Sequence, residues 1–265
     1  MIIGYDRITR PEGETEMIFL VGFVVAMAVG LTGVGAGSIT APVLILIFGI
    51  TPADAVGTAL AYAAAIKLAV APVYFWRKQV SMRVLTLLCA GGVPGVLAGV
   101  TLIDLLDGKR YEHLLLMLIG ATVAIMALFS LYRAVSKHAP TVGRDRPGWL
   151  PWIAAGIGAE VGFSSAGTGA LGSLVLLHLT SLEPAQVVGT SILFGLILSL
   201  IGGGFHLSTG HYNGTILWQL LAGGLAGVFA GANLSAVLPA RPLRIALSAC
   251  LSGLGLQLCL KAFAW

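Results

Sequence analysis

The sequence predicts an all-α integral membrane protein made of two homologous halves, and three observations carry that prediction. The chain of 265 residues is 57% hydrophobic and only 10% charged, with a mean hydropathy of +0.96, whereas soluble domains carry about 25% charged residues. Its apolar residues fall into about eight long segments, and the second half repeats the first at a constant spacing. So few charged side chains cannot cover a soluble globule of this size, which excludes a soluble enzyme. At ~20–25 residues per span, eight segments leave no length for a separate catalytic domain.

The apolar segments run 17–49, 52–76, 82–106, 111–133, 149–182, 184–208, 213–238 and 241–263. Residues 1–16 ahead of them read as a polar tail in which Asp6, Glu12, Glu14 and Glu16 outweigh Arg7 and Arg10. That is not the positive start of a signal peptide, so the first apolar segment is expected to be retained. Six segments have the length of one tilted span. Segments 17–49 and 149–182 are too long for one straight span at ~1.5 Å per residue. Each holds a glycine cluster at its centre, Gly30-Leu-Thr-Gly33-Val-Gly35-Ala-Gly37 and Gly162-Phe-Ser-Ser-Ala-Gly167-Thr-Gly169. A glycine costs a helix about 1 kcal/mol relative to alanine, so each cluster predicts a break in the first segment of its half.

The two clusters lie 132 residues apart, and pairing 30–110 with 162–242 at that offset gives 22 identities in 81 positions without a gap. Among them are Pro52 with Pro184, Val56-Gly57-Thr58 with Val188-Gly189-Thr190, and Gly91, Gly92, Gly95 and Gly99 with Gly223, Gly224, Gly227 and Gly231. An ungapped register of glycines is the signature of duplication. The chain divides accordingly into a tail (1–16), a first membrane repeat (17–133), a linker (134–148) and a second repeat (149–263). Lys137, Arg144 and Arg146 in the linker, and Arg77, Lys78 and Arg83 in the other basic loop, mark both as cytoplasmic. If the broken segments cross the membrane, both termini are cytoplasmic. If they re-enter as hairpins, both termini lie outside and the repeats are inverted, a plan common among transporters. The distribution of Lys and Arg barely separates the two, and the re-entrant plan is preferred.

The cluster Gly30–Gly37, followed by Pro42 and by Pro52-Ala-Asp-Ala-Val56-Gly57-Thr58, and echoed at 162–191, resembles the sulfite exporter TauE/SafE family. The resemblance covers about residues 17–263. It departs at Leu174, where the first half has Pro42, and at Ser165, where it has Gly33. The family consists of bacterial and archaeal inner-membrane permeases with about eight hydrophobic segments in two halves. The resemblance therefore implies transport of a sulfur-containing anion such as sulfite, sulfoacetate or a related organosulfonate. A passive anion channel and a non-transporting scaffold are the alternatives.

An oxyanion inside a membrane needs hydrogen-bond donors and positive potential. A broken helix supplies free N–H groups and the positive end of a dipole, and glycine lets a ligand approach the main chain. Gly33, Gly35, Gly37 and Ser38 in one half, and Ser164, Ser165, Gly167, Thr168 and Gly169 in the other, are the expected anion site. Thr32, Thr40 and Ser173 lie around it, and Thr58 and Thr190 add a hydroxyl at the start of the following helix. The competing readings are close packing of small residues and hydroxyls bonding back to their own helix. Lys67 lies too deep in segment 52–76 to snorkel, and such a charge faces a cavity or a partner; its counterpart in the second half is Ser199. Glu160 is the other intramembrane charge, a candidate for proton coupling or for pairing with a cation, Lys67 included.

His206 and His211, at a segment end, read as solvated interfacial residues, and Trp149, Trp152, Trp218 and Trp265 as interface anchors. Cys89, Cys250 and Cys259 lie in apolar segments with no paired spacing, so no disulfide framework, metal or cofactor is expected. No catalytic or nucleic-acid motif is present. The expected partners are the lipid bilayer, a small anionic substrate and a coupling proton or ion, and the sequence leaves a homodimer open. Reporter fusions should place loops 77–83 and 134–148 in the cytoplasm whichever way the broken segments run; an external signal from either loop would overturn the orientation.

Overall fold

The computed structural model describes residues 12–32, 35–106, 111–135, 147–234 and 240–263. Residues 1–11, Gly33 and linker residues 136–146 lie outside these, so the expectations placed on them are not addressed. The described residues form ten α-helices and one short 3₁₀ turn, Pro147–Trp149, with no strand. In order the helices are α1 (Glu12–Thr32), α2 (Ala36–Leu46), α3 (Pro52–Trp76), α4 (Met82–Leu106), α5 (Glu112–Val135), α6 (Leu150–Ser164), α7 (Ala170–Leu179), α8 (Pro184–Thr209), α9 (Gly214–Leu234) and α10 (Ala240–Phe263). Six stretches, within α3, α4, α5, α8, α9 and α10, are long and apolar enough to cross a membrane. Helix α1 includes Glu12–Glu16 ahead of the apolar stretch that begins at Met17.

Local chemistry accounts for the ends. Pro52 and Pro184 stand at the first position of α3 and α8, where a missing N–H costs nothing. Thr51 Oγ1 accepts the Asp54 N–H at 3.4 Å to cap α3. Gly210, at φ 84°, closes α8 in the left-handed conformation that glycine adopts without strain.

Glycine spacing sets the packing. A Cβ added at Gly91, Gly95 or Gly99 on α4 would overlap the carbonyls of Pro151, Ala155 and Ala159 on α6. The same substitution at Gly223, Gly227 or Gly231 on α9 would overlap those of Phe19, Phe23 and Met27 on α1. Both partners advance by four residues together, so α4 runs parallel to α6, and α9 to α1, with backbones in direct contact. Tyr62 packs over Gly224 and donates from its hydroxyl to Gly22 O at 2.6 Å, while Phe194 packs over Gly92. Helices α3 and α8 cross at the centre, and α5 packs antiparallel to α10 at the edge, where Ser130 and Ser248 share a hydrogen bond of 2.9 Å.

The direction of α7 follows from these contacts. Thr190 Oγ1, near the start of α8, accepts the Ser81 N–H at 3.0 Å, so α8 starts at the end of the bundle where α4 starts. Helix α6 runs away from that end alongside α4, and α7 with its short loop brings the chain back. Thr58 Oγ1 likewise accepts the Asn213 N–H at 3.0 Å, so α3 starts where α9 starts, and α2 returns the chain there after α1. The Trp149, Trp152 and Trp218 side chains are exposed on the outside of the bundle.

Substitution should separate the packing glycines from the others. Gly95→Leu and Gly227→Leu should yield little folded protein, since the new side chain meets backbone that cannot give way. Gly156, with nothing within 4 Å of an added Cβ, should accept alanine with a gain of up to about 1 kcal/mol, read by thermal unfolding in detergent.

Candidate functional site

Two helix ends and one lysine meet inside the bundle. Helix α2 starts behind Gly35, whose backbone is extended at φ −61° and ψ 130°. Helix α6 ends at Ser164, and Ser165 behind it is left-handed at φ 61°, a conformation that costs a non-glycine residue about 1–3 kcal/mol. The hydrogen bond that offsets this cost joins the two breaks: Ser165 Oγ donates to Gly37 O at 2.9 Å. A Cβ on Gly37 would overlap Ser165 O, whereas one on Gly35 would stand 3.5 Å from Thr168 Oγ1 and 3.8 Å from Gly169 N. The first contact is closed and the second has room.

Lys67 reaches this junction from α3. It is 8% exposed, and its Nζ donates to Thr168 Oγ1 at 3.2 Å, Gly195 O at 3.1 Å and Ser199 Oγ at 3.1 Å. Those three bonds use all three ammonium protons. Thr168 and Ser199 accept from a cation, so their own hydroxyl protons turn away from it and are available as donors. Ser191 Oγ on α8 donates to Thr168 O at 3.1 Å and holds the second break against that helix. Among the described residues the close charged contacts are those of His211 with Asp54 and Asp104, and the acceptors around Lys67 are all neutral.

Glu160 flanks the junction from α6. Its Oε1 accepts from Ser164 Oγ at 2.6 Å, and its Oε2 is buried without a hydrogen-bond partner. A Cβ on Gly167 would overlap that oxygen, so the carboxylate fills the space which this glycine, at φ 91°, leaves open. Glu160 and Lys67 are not an ion pair; each is a buried charge beside the break.

The family model described as "Sulfite exporter TauE/SafE" matches residues 18–258. The chain belongs to the sulfite exporter TauE/SafE family. It is 27% identical over 250 residues to the probable membrane transporter protein YjnA of Bacillus subtilis, covering 91% of this chain and 98% of the relative. It is 31% identical over 235 residues to a probable membrane transporter protein of Haemophilus influenzae, covering 83% of each. A probable membrane transporter protein of Xylella fastidiosa is 29% identical over 214 residues, covering 78% of this chain and 79% of the relative. No solved structure matches. With six span-forming helices and bacterial transporters as relatives, this TauE/SafE protein is a multi-pass bacterial membrane protein.

Within this TauE/SafE chain, Gly35, Gly37, Ser165, Thr168, Gly169 and Lys67 come together, with Ser164, Gly167 and Glu160 beside them. Ser38 and Thr40 are occupied locally, donating to Gly35 O at 2.7 Å and Ala36 O at 2.8 Å, and Ser173 donates to Gly169 O at 2.8 Å. Thr58 and Thr190 do not join the site. They sit at the starts of α3 and α8, and nine residues of helix, ~13 Å, separate Thr58 from Lys67. Their hydroxyls accept loop N–H groups, which is a structural task.

Gly195 was missed by the sequence reasoning, and Ser191, a hydroxyl beside Thr190, joins the second break where Thr190 does not. Ser199, the counterpart of Lys67 at the 132-residue offset, carried a usable signal, since the two side chains meet at 3.1 Å. His206 is fully buried, not interfacial as expected, because Gly57 on α3 lets α8 come close enough to cover its ring. Thr58→Val and Thr190→Val should each lower stability by about 1–3 kcal/mol, the cost of an unsatisfied buried N–H, measured by thermal unfolding in detergent.

Proposed function

We propose that the protein carries a small sulfur oxyanion, such as sulfite, sulfoacetate or a related organosulfonate, by alternating access around the junction of the two breaks. The observation that carries this reading is the buried Lys67 ammonium, held only by neutral acceptors at that junction. A charge so placed costs about 2.5–3.5 kcal/mol on insertion scales. A transient anion offsets that cost in the loaded state without fixing the ligand as a permanent counter-charge would. The Thr168 and Ser199 hydroxyls, oriented by Lys67, donate to the anion's oxygens, and Gly35 leaves the space in which it sits.

In this reading the chain comprises two four-segment repeats of opposite orientation. Helices α1–α2 and α6–α7 form hairpins that enter from opposite sides and meet at mid-membrane, and both termini lie outside. The return of α2 and α7 to the ends from which α1 and α6 started supports it. The unpaired oxygen of Glu160 makes this residue the acceptor for a coupling proton.

Counterflow of a labelled organosulfonate in proteoliposomes tests the reading. A carrier gives saturable uptake stimulated by internal substrate, a channel gives flux without counterflow, and a scaffold gives none. Gly35→Leu should abolish binding in a protein that still folds, because an added Cβ makes only ordinary contacts there. Gly167→Leu is the poorer probe, since its backbone at φ 91° and the overlap with Glu160 would strain the fold. Lys67→Met keeps the apolar stem and should fold normally. Its affinity should fall about tenfold or more for a dianion and by about the square root of that factor for a monoanion, because the Coulomb term scales with ligand charge. Equal affinities in parent and variant would remove Lys67 from the site.

A further inference from the structure

A second polar cluster lies at the end of the bundle opposite the basic loop 77–83. Asp54 comes from the first turn of α3, Asp104 from the last turn of α4, His206 from the last turn of α8 and His211 from the loop behind it. His211 Nε2 lies 2.9 Å from Asp104 Oδ1, and its Nδ1 lies 3.7 Å from Asp54 Oδ1, with all three side chains partly exposed. Behind this bridge the His206 ring is fully buried, and neither nitrogen has a hydrogen-bond partner. The two imidazole centroids are 6.3 Å apart.

The cluster is in line with the junction. Gly195, Ser199, Gly202 and His206 follow one another at spacings of four, three and four residues, so they share one face of α8. Gly195 and Ser199 accept from Lys67. Gly202 faces Leu60, Val96 and Val100, and His206 faces Gly57 on α3. From Lys67 outward the face therefore presents a thin apolar layer, a buried imidazole and then the His211 bridge at the surface.

The duplication makes this cluster distinctive. The bonds from the Ser81 and Asn213 N–H groups to Thr190 and Thr58 recur at both ends of the bundle. The charged cluster does not: the 132-residue counterparts of Asp54, Asp104, His206 and His211 are Gln186, Ala236, Tyr74 and Gln79. The architecture at the opposite end therefore lacks the counterparts of these charged residues.

We propose that the contact of His211 with Asp104 and Asp54 is the latch of the pathway from Lys67 to this end of the bundle, with His206 lining the pathway just inside it. The proposal rests on the transport reading above. The latch joins the two halves: His211 follows α8, while both carboxylates stand on α3 and α4, so opening the halves at this end must break it. Asp54 from α3, Asp104 from α4 and His206 from α8 face His211. A hydrogen bond to a carboxylate is about twice as strong as one between neutral groups, so the 2.9 Å contact with Asp104 is the main closure and Asp54 adds to it.

The test is thiol labelling in sealed vesicles, on the full chain with Cys89, Cys250 and Cys259 replaced by alanine and Ser199→Cys as reporter. A membrane-impermeant methanethiosulfonate is added at the face opposite loop 77–83. His211→Gln should raise the labelling rate about fivefold or more, and Asp104→Asn should raise it less, because Asp54 remains. Rates in His211→Gln within twofold of the parent would overturn the latch. The readout needs no substrate, so a loss of organosulfonate counterflow would sink the transport reading while labelling still judges the latch.

Discussion

The structure depends on backbone-to-backbone contact at glycine. In hydrocarbon no water is available to satisfy a broken helix, so irregular backbone survives only where protein covers it. Gly91, Gly95 and Gly99 bring α6 against the α4 main chain, and Gly223, Gly227 and Gly231 do the same for α1 on α9. Each broken helix is thereby held along its length by an unbroken one from the other half. That exchange brings the two free ends together, and the Ser165 to Gly37 hydrogen bond closes the junction.

Around this junction the two buried charges serve different ends. Lys67 has every proton satisfied by neutral acceptors, so it contributes positive potential more than a vacant donor. In the proposed carrier its effect would reach a ligand through the Thr168 and Ser199 hydroxyls, which accept from it. Glu160 is half satisfied, with one oxygen on Ser164 and the other unpaired beside Gly167. An unpaired buried carboxylate oxygen is expensive, and a bound proton would remove much of the cost. A carrier built on these groups can bind an anion and a proton at adjacent positions without locking either to the other.

The deviations from repeat symmetry fall where function is proposed. Thr58 and Thr190, Gly92 and Gly224, and Tyr62 and Phe194 are equivalent pairs that perform equivalent packing tasks. Lys67 against Ser199, and His211 against Gln79, are unequal pairs. One unequal pair lies at the centre and the other at a single end. The positions that match at the 132-residue offset do packing work, and those that differ give the two ends different chemistry.

Much of this was legible in the sequence. Composition determined that the chain is helical and lies in a membrane, because 10% charged residues cannot solvate a globule. The apolar runs 52–76 and 82–106 gave α3 and α4 at their observed bounds, and Pro52 suits the first position of a helix because its missing N–H costs nothing there. The glycine motif and its 132-residue echo indicated both the family and the helix breaks. Depth and contact were not legible, because they are set by neighbours distant in the chain. Thr58 and Ser165 are both hydroxyl residues within two positions of a glycine, yet one bonds a loop 155 residues away and the other bridges the breaks. His206 has the same sequence surroundings whether it faces water or lies buried; its burial depends on the close approach of α3, which the missing Cβ of Gly57 allows.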